Sequence, residues 1–305
     1  MKIWMDCDPG IDDSVAIGLA LAHPEKFELI GISGVGGNAL VDQVTENLVR
    51  LTSMLGRKDI PVYKGSSHPL ARPLRFDAGI HGSTGIGYAV LPGTDKQAEE
   101  GNAIVAMYQG IMECEEKVVL VPTGPLTNVA KLLSVFPDVR NNIEQIVLMG
   151  GAAEGGNATP YAEFNIYTDE TAAKIVFDSG IPIVMCGLDV TEKSCLNKEQ
   201  NDTLIESDDP IIHSFGMMMK HYIDRNLRGD HSAHVHDSNT FMYLLHPEIY
   251  KGFRATVNVP VGDVEHRGQT QCTPCAEDDP HAVYVLNDID NELYSQYMLE
   301  AIRSY

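Results

Sequence analysis

The run Lys2-Ile3-Trp4-Met5-Asp6-Cys7-Asp8-Pro9-Gly10-Ile11-Asp12-Asp13-Ser14-Val15-Ala16-Ile17-Gly18-Leu19-Ala20-Leu21-Ala22 joins three patterns. Residues 2–5 are a short apolar run and read as a buried strand. Residues 14–22 are small and apolar throughout and read as a buried helix. Between them lies a polar loop punctuated by Pro9 and Gly10. Strand, loop and helix in that order make the first half of a βαβ unit.

The same succession recurs along the chain. Residues 28–35 read as a strand and 42–55 as an amphipathic helix closed by Gly56. Residues 118–121 read as a strand, followed by a Pro-Thr-Gly turn and a helix at 126–133. Strands at 143–149 and 181–186 flank a helix at 170–178. Strands alternating with helices predict an α/β fold, with a mostly parallel central sheet and helices on both faces, open and Rossmann-like. Residues 191–230 turn helical and polar without a clear strand, and read as a helical insertion near one end of the sheet. A helix at 238–245, strands at 255–261 and 282–286, and a terminal helix at 291–304 complete the pattern. With no repeat or linker, residues 1–305 read as one domain.

Composition narrows the partners. The chain has 305 residues, 44% of them hydrophobic, enough for a large core. Its net charge of −21 repels phosphate backbones and anionic lipid, so nucleic acid and membrane surfaces are not expected partners. Neutral small molecules are not repelled, and clustered carboxylates attract hard cations, although excess acid also serves solubility. Asp6 interrupts any signal-peptide apolar stretch, and no run reaches bilayer-spanning length. The six cysteines read as reduced thiols, and a cytoplasmic location is expected. Cys272-Thr273-Pro274-Cys275 is a lone pair without the second ligand pair that zinc wants.

Ligands of open parallel sheets bind at the carboxyl ends of the strands. Polar or Gly-rich segments follow the expected strands one after another: Asp6 to Asp13, Gly36-Gly37-Asn38, Pro122-Thr123-Gly124-Pro125, Gly150-Gly151 and Gly187-Leu188-Asp189. In a parallel sheet these loops gather on one edge and outline a site. The first packs Asp6, Asp8, Asp12 and Asp13 together. Anions held that close in a partly buried place repel, and a hard cation such as Ca²⁺ or Mg²⁺ resolves the conflict. The plainer reading is that one or two of them cap the helix that follows.

A second constellation is Gly156-Asn157-Ala158-Thr159-Pro160-Tyr161-Ala162-Glu163-Phe164-Asn165. Its amides and carboxylate suit the several hydroxyls of a sugar, or equally an Asx-turned polar loop. The third is His231-Ser232-Ala233-His234-Val235-His236-Asp237. His231 and His234 read as satisfied or exposed histidines, whereas Asp237 is placed to reach a metal while His236 faces a substrate. His81 sits on another Gly-rich loop.

Together these segments, with Gly37-Asn38, Ile80-His81-Gly82, Pro122-Thr123-Gly124-Pro125-Leu126-Thr127-Asn128 and Met149-Gly150-Gly151, resemble the inosine/uridine-preferring nucleoside hydrolase family over nearly the whole chain. The resemblance implies Ca²⁺-dependent hydrolysis of the N-glycosidic bond of ribonucleosides to free base and ribose. It implies a Ca²⁺ site of Asp8, Asp13, Asp237 and the Thr123 carbonyl, with Asp8 also taking a proton from the metal's water. Asp12, Asn157, Glu163 and Asn165 are implied to bind the ribose hydroxyls, with Asn38 and Met149 lining the pocket. His236 matches a histidine near the leaving base, His81 is a further substrate contact, and a homodimer or homotetramer is implied.

One region departs from the family pattern. Pyrimidine-preferring members carry a tyrosine and a glutamine toward the base on the helix before the final His-Asp. Here that helix reads His221-Tyr222-Ile223-Asp224-Arg225-Asn226, and a longer loop follows. The roles of His221, Tyr222 and Arg225, and the choice between purine and pyrimidine, stay open. Two other readings remain. A Mg²⁺-dependent phosphotransferase of the haloacid-dehalogenase type fits Asp6-Cys7-Asp8 and Thr123, but no lysine sits in the five loops to steady a phosphate. A non-catalytic nucleoside-binding protein would not need the full carboxylate set.

Overall fold

The computed structural model describes residues 1–74, 80–262 and 264–305. Gly79, which precedes the Ile80-His81-Gly82 motif, lies outside them. The first unit is β1 (Lys2–Cys7), α1 (Ile11–Leu21) and β2 (Glu28–Gly34), then α2 (Val41–Met54) and the short β3 (Val62–Lys64). Helix α3 (Ala103–Met112), capped by the Asn102 side chain, leads to β4 (Val118–Pro122) and α4 (Thr127–Val135). Next come β5 (Ile143–Met149), the single-turn α5 (Phe164–Thr168), α6 (Glu170–Phe177) and β6 (Ile183–Cys186).

Helix α7 (Leu188–Thr191) leads into residues 191–230, read as helical without a clear strand, which hold β7 (Cys195–Asn197), α8 (Lys198–Ile205) and α9 (Pro210–Arg225). Strand β7 pairs antiparallel with β8 (Ser232–His234), a small second sheet. Three residues are too few for strand alternation to show in a sequence. The chain ends with α10 (Ser238–Leu245), β9 (Tyr250–Asn258), β10 (Gln271–Pro274), β11 (Val283–Ile289) and α11 (Asn291–Ile302).

The large sheet runs β10-β9-β11-β6-β5-β4-β1-β2-β3. Every pair from β3 to β11 is parallel, and β9 is antiparallel to both of its neighbours. The order 3-2-1-4-5-6 reverses direction between β1 and β4, so the loops leaving those two strands diverge and open a crevice.

Both faces of the sheet are covered, as the nearly continuous apolar strands require. Along β1, Ile3, Met5 and Cys7 join the core built with α1, α2, α9, α10 and α11, while Trp4 joins the core of α3, α4 and α6. Asp6 shares Trp4's face. Its Oδ1 accepts from Ser33 Oγ at 2.5 Å and Asn128 Nδ2 at 2.8 Å, so it ties β1 to β2 and α4.

Helix α1 begins at Ile11, earlier than the apolar run alone suggests, because Asp13 Oδ2 accepts from Gly10 N at 3.0 Å and closes the first turn. Gly18 on α1 lets α9 approach: a Cβ there would come 2.4 Å from the tip of the fully buried Phe215 ring. Removing that ring leaves a cavity between α1 and α9. Phe215→Ala is expected to lower the unfolding free energy by about 3–5 kcal/mol in urea titration. A loss below about 1 kcal/mol would show that the two helices are not fixed by this contact.

Candidate active site

The loops after the parallel strands leave one edge of the sheet, and those after β1, β2 and β4, with the end of β5, line a cavity of about 1190 Å³ to which Gly187-Leu188-Asp189 contributes no lining residue. The floor of the cavity lies at the β1–β4 switch. Asp8 follows β1 and is fully buried, and its Oδ2 accepts from Asn38 N at 2.6 Å. Backbone closes in on this carboxylate. A Cβ on Gly37 would lie 1.9 Å from Asp8 Oδ2, and one on Gly124 would lie 2.7 Å from Asp8 Oδ1. Only glycine fits at either place, which explains the Gly-rich turns after β2 and β4.

Asp13 is the hub of the floor. Its Oδ1 accepts from Thr123 Oγ1 at 2.8 Å and Asp8 N at 3.3 Å, while its Oδ2 accepts from Gly10 N and, at 3.4 Å, Asn38 Nδ2. The loops after β1, β2 and β4 therefore meet on one carboxylate. Asp237, just before α10, completes the group: oxygens of Asp12, Asp13 and Asp237 all lie within 4.8 Å of one another. Asp12 stands in this tight cluster and Asp8 flanks it.

Burial raises the pKa of every carboxylate on the floor, and repulsion by neighbouring aspartates adds to it at Asp8, Asp13 and Asp237. Asp8 and Asp237 are pushed well up, by desolvation first and by neighbouring aspartates next. Asp12 and Asp13 are raised for the same first reason. Among the described residues no lysine or arginine forms an ion pair with any of the four. Asp8 Oδ1 is buried with no hydrogen-bond partner among the described residues. An oxygen-only donor set, like-charged, desolvated and with an orphaned oxygen, fits a hard divalent cation and fits zinc poorly.

One wall comes from the loop after β5 and from α5. Glu163 caps α5: its Oε1 accepts from Asn165 N at 2.9 Å and its Oε2 from Gly151 N at 2.9 Å and Ile166 N at 3.2 Å. Desolvation lifts it to about 7 against those bonds. Asn165 Nδ2 donates to the Thr123 carbonyl at 2.8 Å and the Met149 carbonyl at 3.2 Å, which leaves its Oδ1 to accept. Asn157 is the complement: its Oδ1 accepts from Phe164 N at 2.9 Å, leaving its amide to donate. Asn38 and Met149 also line the cavity.

The other wall carries two histidines and Tyr222. His81 Nδ1 accepts from Ile11 N–H at 3.2 Å, so in the neutral ring Nε2 holds the hydrogen. Burial lowers His81 to about 4 and His236 to about 3, and both are neutral imidazoles at physiological pH. His236 Nδ1 lies 2.8 Å from Thr191 Oγ1. The Tyr222 hydroxyl lies 3.1 Å from Asp12 Oδ1 and 3.0 Å from His81 Nδ1.

The cavity therefore brings together Asp12, Asn38, His81, Thr123, Met149, Asn157, Glu163, Asn165, His236 and Asp237, with Asp8 and Asp13 buried beneath. Of the residues left open by the sequence, Tyr222 lines the cavity, His221 is buried edge-on against Tyr88 at 4.9 Å, and Arg225 ends α9 exposed. Glu192 and Arg228, which the sequence did not single out, also line it and pair with each other. His231 contacts Asn226, whereas His234 pairs through Nε2 with Asp230, lines the cavity, and has a buried Nδ1 with no hydrogen-bond partner among the described residues. Cys272 and Cys275 are free thiols.

Residues 3–296 match the family model of the inosine-uridine preferring nucleoside hydrolase. The pyrimidine-specific ribonucleoside hydrolase RihA of Shewanella woodyi is 38% identical, over 99% of this chain and 98% of its own length. RihA of Citrobacter koseri is 36% identical, over 100% and 99%. Among solved structures, the purine-preferring ribonucleoside hydrolase from Gardnerella vaginalis superposes with a TM-score of 0.93 at 30% identity, covering 99% of this chain and 98% of that one. The alternation of strands and helices, the acidic floor at the switch point and these likenesses agree: the chain belongs to the inosine-uridine preferring nucleoside hydrolase family.

Proposed function

We propose that the chain releases free base and ribose from ribonucleosides with the help of Ca²⁺ held by Asp8, Asp13, Asp237 and the Thr123 carbonyl oxygen. The observation that carries this reading is the buried carboxylate floor, which among the described residues has no lysine or arginine paired to it, at the bottom of a cavity with one polar wall of amides and a carboxylate. When bound, the ion supplies the compensating charge and acidifies water at the site. The relatives named above are all ribonucleoside hydrolases, not phosphotransferases, and among the described residues no lysine lines the cavity.

The residues divide the work. Asp8 Oδ1, buried without a hydrogen-bond partner among the described residues, takes the proton of the attacking water. That water forms a bond to C1′ as the C1′–N bond breaks, and the base departs with the electron pair. Positive charge grows on the ribose ring in this transition state, and the surrounding acceptors favour it over the ground state. Asp12, Glu163 and the Oδ1 of Asn165 accept from ribose hydroxyls, and the Asn157 amide donates to them.

The departing base carries negative charge and needs donors. Neutral His81 offers its Nε2–H, and His236 offers Nε2–H when Thr191 donates to its Nδ1. Because both rings are neutral, their contribution is hydrogen bonding to the leaving base rather than a resident imidazolium charge.

Two outcomes are expected. Ribonucleosides should be cleaved far better than 2′-deoxyribonucleosides, since a missing hydroxyl strands buried polar groups at about 1–3 kcal/mol or more. Comparable kcat/KM for inosine and 2′-deoxyinosine would contradict the ribose-reading wall.

The second concerns pH. Asp6 sits at about 7 in the fold, and Asp8 and Asp237 are also raised from 3.8. Groups raised in the fold bind more protons there than when unfolded, so stability falls as pH rises from about 4 through 7. Chelated protein should melt at progressively lower temperature across that window. Added Ca²⁺ should restore the loss at pH 8, because it binds only the folded carboxylates. A melting temperature indifferent to Ca²⁺ at pH 8 would argue against the proposed ion.

A further inference from the structure

We propose that Glu170 is a positioning residue for ribose recognition, which fixes α5 by clamping Arg267 and Arg72 from two other parts of the chain. The inference rests on the ribose-binding wall proposed above and adds to it what holds that wall in place.

A helix of one turn does not stand by itself. It orders several residues for very few hydrogen bonds, and the backbone groups at its ends have no partner within it. At the start of α5 the Glu163 carboxylate accepts from Asn165 N and Ile166 N. At its end the Tyr167 carbonyl accepts from Arg267 Nη2 at 2.8 Å, and the guanidinium carbon stands 4.1 Å from the centre of the Tyr167 ring. Gly268 permits this approach, since a Cβ there would come 2.5 Å from Tyr167 Cα. The turn is thus held at both ends, and Arg267 is the outer hold.

Glu170 decides where Arg267 sits. Its Oε2 accepts from Arg267 Nε at 3.3 Å and its Oε1 from Arg72 Nε at 2.8 Å. The side chain is only 3% exposed, so its charge is out of water and depends on these partners. Acidic residues in a first helical turn ordinarily serve the helix itself. Here Asp169 does that for α6, accepting from Ala172 N at 3.1 Å, whereas both Glu170 oxygens go to arginines. Asp169 Oδ2 also accepts from Leu70 N at 2.8 Å, so the two acids together pin the segment that carries Arg72.

The clamp reaches the site through bonded neighbours. Arg72, Tyr167 and Arg267 line the cavity. Two residues before Tyr167, Asn165 donates to the Thr123 carbonyl on the floor. Releasing Arg267 therefore loosens the turn that presents Asn165 and is capped by Glu163, and the acceptors for the ribose hydroxyls lose their fixed places.

The test compares kcat/KM for inosine and 2′-deoxyinosine in the Ca²⁺-loaded enzyme, in Glu170→Gln and in Arg267→Gln. Glutamine keeps the shape of Glu170, but its amide end donates and cannot accept from the second arginine. The preference for inosine over 2′-deoxyinosine should fall by about ten-fold in each variant, the size of one lost hydrogen bond in a buried site. The inosine-to-uridine ratio, set at the other wall, should stay within about two-fold. A smaller folded fraction lowers every substrate alike and cancels in both ratios. A folded Glu170→Gln that keeps the wild-type ribose preference within about two-fold, or shifts the base ratio as much as the ribose ratio, would overturn the proposal. If that variant does not fold, Arg267→Gln, in which Glu170 keeps Arg72, decides by the same criterion. A wild type without ribose preference would instead overturn the wall itself, and this role with it.

Discussion

Like charge crowded out of water is the constraint around which this molecule is arranged. Asp8, Asp12, Asp13 and Asp237 sit at the bottom of a crevice, all buried, and the chain supplies no cation of its own to them among the described residues. Such a cluster persists only where the surrounding fold over-determines it. Here Asp13 is held by the Gly10 and Asp8 backbone and by the hydroxyl of Thr123, while Asp8 is wedged between Gly37 and Gly124. The N-terminus of α1 lends its dipole to both Asp12 and Asp13. The capping and cation-binding readings of the acidic loop are thus compatible: Asp13 caps α1 and still belongs to the cluster.

The sheet order makes this arrangement possible. Strands β1 and β4 are neighbours although residues 8–117 separate them, and the chain leaves them in opposite directions. The resulting gap receives Asp8 from one side and Thr123 from the other. Asp237 arrives from the far end of the chain, fixed by α10 packing on α1. The floor therefore depends on long-range packing, and damage to α9 or α10 is felt there without touching a carboxylate.

Much of this was legible in the sequence. Residues 143–149 and 238–245 fold as the apolar pattern predicts, and three of the five expected loops, those after β1, β2 and β4, supply cavity-lining residues. The start of α1 was displaced because Pro9, Gly10 and two aspartates look like loop, whereas the Asp13 side chain turns them into a cap. Strands β7 and β8 were invisible because each is only three residues long. Tyr222 was noticed but unassigned: its contact with Asp12 spans 210 positions, and the phase of α9 is set by Phe215 meeting Gly18. The Glu192–Arg228 pair joins two half-exposed surface residues of kinds found everywhere, so no local signal marks it. The wall proposed to hold ribose is written in compact motifs, whereas the wall proposed to face the base is assembled from separate turns, and no one stretch of sequence spells out the second.

The most direct measurement is the metal content of the purified chain, set beside that of Asp13→Asn, which keeps the shape of the hub and removes its charge. About one Ca²⁺ ion per chain is expected in the natural sequence, with binding and turnover lost together in the variant. Zinc at that level, or full ribonucleoside turnover in exhaustively chelated protein, would contradict a floor organised around a hard cation.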